Sequence, residues 1–126
     1  MSLKERIDRI IRTGEIELAG GAYKGKLYQK SLVHIPQIIE NMKFLKEMKP
    51  DKKNSKYGKY SYYITGVNID GRSHAILSTI GHNENGIYYD HNVFEGTPKE
   101  VFVQAKNATT KKFDRLKEIL QNIEGG

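Results

Sequence analysis

Asp70-Gly71 sits between two long β-prone runs, Tyr60 to Ile69 and Arg72 to Ile80. A type I′ turn needs positive φ at both central residues, and Asp-Gly accepts it, so the pair predicts a tight hairpin. A two-residue loop then fixes the register. Ile69 faces Arg72, Val67 faces His74, Thr65 faces Ile76 and Tyr63 faces Ser78, all on one side of the sheet. The other side carries Tyr62, Ile64, Ala75, Leu77 and Thr79.

A third run, Ile87 to Phe94, follows a turn within Gly81 to Gly86. Closure by Asn85-Gly86 alone or by all six residues preserves parity, so Ile87, Tyr89, His91 and Val93 join the face of His74 and Ser78. An odd-length loop or a bulge would reverse this. The expectation is an antiparallel meander that brings two histidines and a hydroxyl onto one face.

The 126 residues suit one domain, residues 1–126, and 37% hydrophobic content with eight Tyr and four Phe supplies a core. Mean hydropathy of -0.64 and the lack of a long apolar run argue against a membrane span. Without cysteine there are no disulfides or thiolate ligands, which fits a reducing cytosol, and a cytoplasmic location is expected. Net charge +6 invites RNA or another polyanion as partner, since clustered cations release counterions when they neutralise phosphates. Lysine-rich composition alone gives the same charge without any such partner.

In chain order, Ser2-Leu3-Lys4-Glu5 has capping-box spacing and predicts a helix over Leu3 to Thr13. Glu15 to Leu18 reads as a short strand, Gly20-Gly21 as a turn, and Ala22 to Gln29 as an irregular or extended return. Pro36 opens a second helix whose stripe of Ile38, Ile39, Met42, Leu45 and Met48 ends before Pro50. A basic loop follows to Lys59. After the meander, Thr97-Pro98-Lys99-Glu100 resembles a helix start while Val101-Phe102-Val103 is β-prone, and a fourth strand is favoured there. Phe113, Leu116, Ile119, Leu120 and Ile123 predict a C-terminal amphipathic helix capped by Thr109 or Thr110. The fold class is therefore α+β: N-terminal helices on a small antiparallel sheet of three to four strands, with a C-terminal helix.

The segments Tyr62-Tyr63-Ile64, Gly66-Val67-Asn68-Ile69, His74-Ala75-Ile76 and Gly86-Ile87-Tyr88-Tyr89-Asp90-His91 together resemble the large polyvalent-protein-associated domains of phages and mobile elements. The resemblance covers roughly Lys30 to Phe94. Some of those domains are similar to the Barnase, EndoU, colicin and RelE-like ribonucleases, a group whose activity is generally metal-independent. That implies His34, His74, Ser78 and His91 as position-matched site residues, although no complete triad can be read.

Metal-independent RNA cleavage needs a base for the 2′-hydroxyl, an acid for the leaving oxygen and cations for the phosphorane. His91 is the expected base, His74 the acid, and Arg72 or Lys30 the phosphate clamp. The competing expectation is that both histidines are part-buried strand residues bonded to backbone or to Asp90. Asp90 and His91 are adjacent on a strand and point to opposite faces, so no metal site is expected, nor any cofactor. Lys52, Lys53, Lys56 and Lys59 are the expected nucleic-acid contacts, with Tyr57, Tyr60, Tyr62 and Tyr63 behind them for stacking. Two functions remain open: an RNA-binding or RNA-cleaving nuclease-like domain, or a noncatalytic accessory domain of a multidomain mobile-element protein. The partners implied are RNA, an inhibitor or parent-protein domains. An open cleft holding His74 and His91 favours the first; a sheet face sealed by a helix favours the second.

Overall fold

The computed structural model describes residues 17–18, 25–49, 58–83 and 86–124. Strands β2 (Lys43–Met48), β3 (Lys59–Ile69), β4 (Arg72–Asn83) and β5 (Gly86–Glu95) form an antiparallel sheet. A two-residue strand, β1 (Glu17–Leu18), lies parallel to β5 at one edge, giving the order β1-β5-β4-β3-β2. The hairpin is as its turn dictates. Asp70 and Gly71 have φ of 53° and 80°, and Ile69 pairs with Arg72, Val67 with His74 and Tyr63 with Ser78. The β4–β5 register pairs Asn83 with Gly86, which leaves two residues between the strands and keeps the expected parity. Ser78 thus pairs with His91.

Helices cover both faces of the sheet. Helices α1 (Gly25–Ser31) and α2 (Ile35–Asn41), joined by a 3₁₀ turn at Leu32–His34, carry Ile35, Ile38 and Ile39 onto the face of Val67, Ile76, Ile80, Tyr89 and Val93. Helices α3 (Pro98–Asn107) and α4 (Asp114–Glu124) bring Val101, Ala105, Leu116, Ile119 and Leu120 onto Tyr62, Ile64, Ala75, Leu77 and Phe94. Burying each of the Val, Leu, Ile and Phe side chains contributes about 1.5–3 kcal/mol, so the two apolar seams hold the layers together. None of the helices in the described residues is long and apolar enough to cross a membrane.

Four local expectations need correction, and others fall outside the described residues. The stretch expected to be extended up to Gln29 is helical from Gly25, with Tyr28 and Ser31 buried one turn apart. The helix from Pro36 stops at Asn41, and Met42 turns extended (φ -65°, ψ 140°) into β2. The confusion has a cause: the register shifts between Phe44 and Lys46, and this bulge lets Leu45 and Met48, three residues apart, both pack on the α4 side. Three-residue spacing normally signals a helix.

Val101 to Val103 is helical, not a fourth strand. Thr97 Oγ1 accepts from the Glu100 backbone N–H at 3.3 Å, and Glu100 Oε1 accepts from the Thr97 N–H at 3.1 Å. This reciprocal cap, with Pro98 in the first turn, outweighs the β preference of the valines. At the C-terminal helix Thr110 stands at the start of a 3₁₀ turn, Lys111–Phe113, and makes no side-chain cap bond. The helix expected over Leu3 to Thr13, the Gly20-Gly21 turn, and Lys52, Lys53, Lys56 and Tyr57 lie outside the described residues.

Candidate functional site

Hairpin parity delivers His74, Ser78 and His91 to one face, the face that α1 and α2 cover. His91 is 0% exposed. Its Nε2 lies 2.7 Å from Ser31 Oγ on α1, and its Nδ1 lies 2.7 Å from the Tyr89 phenol oxygen. The Tyr28 ring stacks at a tilt over the imidazole, 4.9 Å between centroids. Ser31 donates its hydroxyl proton to the Tyr28 carbonyl at 2.5 Å, so toward His91 it can only accept. Nε2 therefore carries hydrogen, Tyr89 O–H donates to Nδ1, and Ser78, 3.3 Å from Tyr89, donates to the phenol oxygen. With a neutral imidazole every proton in this chain of four side chains has a place. Burial pushes the Tyr89 phenol well above its ordinary range, with Ser78 opposing and Tyr28 and Asp90 reinforcing.

His74 sits elsewhere on the same face. It is 5% exposed, and its Nδ1–H donates to the Arg72 carbonyl at 3.0 Å. Because His91 is opposite Ser78, four residues along β4 from His74, the two imidazoles are separated by roughly 13 Å of strand. A general acid and base must each reach the same phosphodiester at hydrogen-bond distance. Sharing a face does not make these two a pair. Arg72 is exposed at the hairpin end beside His74. Lys30 at the end of α1 is ion-paired with Asp70 in the turn, and this contact holds the Asp70 carboxyl below its ordinary range. His34 is half-buried at the start of α2 and makes no side-chain cap bond.

The structure thus joins Ser78 to His91 through Tyr89, and gathers Lys30, Asp70, Arg72 and His74 at the hairpin end. Asp90 faces away from the imidazole, though its Oδ1 accepts the His91 backbone N–H at 2.8 Å. Among the described residues no three His, Asp or Glu side chains cluster as metal ligands do. Lys59, the described member of the four lysines, lies 3.9 Å from Glu47. Tyr62 is core, Tyr60 packs edge-on against Tyr88, and Tyr63 meets Phe44 edge-on at 5.6 Å.

Sequence reasoning missed Tyr89 and Ser31 as the partners of His91. Tyr89 could have been found, since it precedes His91 by two residues on a strand and must share its face. Ser31 could not, because nothing local ties it to a residue sixty positions away. Also missed was a groove of about 270 Å³ at the hairpin end, lined by Gly66, Asn68, Ser73, His74, Thr97 and Pro98 among others.

A largely antiparallel sheet held between an N-terminal and a C-terminal helix pair, with a buried polar network on one face, defines a small α+β module. Residues 10–89 match the family described as large polyvalent protein-associated domain 3, and the chain belongs to that family. No curated protein and no solved structure matches it.

Proposed function

We propose that this domain is a noncatalytic accessory module of a large multidomain polyvalent protein, acting through its surfaces on neighbouring domains of the same protein. The observation that carries the reading is the state of His91. A general base must meet its substrate, and this imidazole is buried beneath α1 with both ring nitrogens committed to protein partners. The neutral ring, the donor from Tyr89 and the acceptor at Ser31 together describe a structural hydrogen-bond network. The family match supports the same reading, since it names a domain carried within polyvalent proteins.

The test is an RNA incubation of the purified domain with EDTA across neutral pH. The expected result is intact RNA, together with a His91→Ala variant that is destabilised. Fragments ending in 2′,3′-cyclic phosphate, formed by the wild type and lost in a folded His91 or His74 variant, would instead establish the nuclease reading.

A further inference from the structure

Strand β2 is shorter than the strand it pairs with. Its last partner toward the hairpin is Lys43 with Ile64, whereas β3 runs on to Ile69. In a two-residue hairpin the residues flanking the turn form a hydrogen-bonded pair, so Ile69, Val67 and Thr65 direct their backbone groups to β4. Gly66 and Asn68, which alternate with them, direct N–H and C=O to the side where β2 has ended. Both residues are exposed, and neither has a backbone partner there among the described residues. The groove of about 270 Å³ lies along this same stretch.

The rest of that edge is guarded. β2 carries Lys43 and Lys46 and a bulge, devices that discourage another strand from pairing. The notch beyond it has none of them. Gly66 presents no side chain, and a Cβ there would come within 3.3 Å of Pro98. Two exposed cations are next in sequence to residues that line the groove, Arg72 to Ser73 and Lys99 to Pro98, and neither is in an ion pair among the described residues. The nearby Asp70 is neutralised by Lys30.

We propose that this notch receives a short, extended, acidic peptide segment of the parent protein, which continues the line of β2 by pairing with Gly66 and Asn68 and sets a carboxylate against Arg72. Backbone pairing gives such an addition its geometry, and the groove and cations give it selectivity. The inference rests on the accessory-module reading and assigns that module its contact surface.

The probe is a capped pentapeptide of alternating valine and glutamate, titrated into ¹⁵N-labelled domain. Saturable amide shifts are expected at Gly66, Asn68 and Ser73. Asn68→Pro deletes the outward N–H without touching the ladder to β4 and should weaken binding about tenfold. Arg72→Glu, an exposed change that leaves the fold intact, should also weaken it, and should favour a lysine version of the peptide. Shifts confined to Phe44 and the outer edge of β2 would overturn the proposal, as would unmoved Gly66 and Asn68 amides at peptide saturation limits. An oligouridylate that reproduces the same shifts and displaces the peptide would overturn it too, by making the notch a polyanion site. Failure at the notch with RNA uncut leaves the accessory reading standing, whereas RNA cleavage in the same sample removes that reading itself.

Discussion

Under α3 and α4 the sheet buries Tyr62, Ile64, Leu77 and Phe94 against Val101, Leu116 and Ile119, an interface made of shape and apolar area. Under α1 and α2 it buries Ile69, Ile76 and Ile80 together with Ser78, Tyr89 and His91, which must find specific partners in a dry interior. The first interface tolerates any packing of suitable volume. The second accepts only the placement of α1 that sets Ser31 Oγ against His91 Nε2. One sheet thus uses its C-terminal helices for adhesion and its N-terminal helix for registration.

The largest effect should come from breaking the apolar face. Phe94 is buried and packs against the Phe113 ring at 5.2 Å, so Phe94→Ala should cost about 3–5 kcal/mol by chemical denaturation. A loss below ~1 kcal/mol would mean that α3 and α4 do not depend on this seam.

The polar face should respond in a different pattern. His91→Leu leaves Tyr89 and Ser31 without their partner and should cost about 2–3 kcal/mol. Adding Tyr89→Phe, Ser31→Ala and Ser78→Ala removes every hydroxyl of the hydrogen-bonded chain and should recover much of that loss, because an apolar replacement of a whole network can be nearly neutral. Additive losses in the quadruple variant would show that volume, rather than hydrogen bonding, governs both faces alike.

These two faces were not equally legible in the sequence. Asp70-Gly71 specified the register from Tyr63 to Ser78, and parity carried it to His91, because side-chain alternation along a strand is a local rule. The elements that failed were those where tertiary structure overrode local signals: the bulge that let Leu45 and Met48 imitate a helix, and the cap at Thr97 that took Val101 to Val103 out of the β region. For the candidate site, alternation placed the histidines on one face yet could not give their surroundings. What seals His91 away from solvent is Ser31 and the ring of Tyr28, contributed by a helix whose start is hidden among glycines.

Alkaline titration should separate the faces again. The Tyr89 phenol is held above its ordinary value chiefly by burial, so the folded state keeps its proton after the unfolded chain has released one. Stability linked to this group is complete below pH ~10 and is lost as pH rises toward the folded value, at no more than ~1.4 kcal/mol per pH unit. Tyr89→Phe should flatten that part of the decline between pH 9 and 11. If the wild type and the variant lose stability in parallel, the phenol ionises freely and the network is open to solvent.

The smallest effect belongs to the ion pair that ties the end of α1 to the hairpin. Lys30 and Asp70 are both well exposed, so solvent and salt screen their attraction, and removing it should shift the melting temperature only slightly and less at high ionic strength. The substitution has to respect the turn: Asp70 sits at φ 53°, where Asn is tolerated and Ala is strained, so Asp70→Asn isolates the charge. Lys30 holds the folded carboxyl below its ordinary value, first by the hydrogen bond and then by charge, so the contribution is present above pH ~4 and disappears as the solution is acidified through that lowered value. Lys30→Met should abolish the same acid-sensitive increment without altering the hairpin register. If Lys30→Met instead costs as much as His91→Leu, α1 is held by its end rather than by the buried network, and the contrast between the two faces loses its basis.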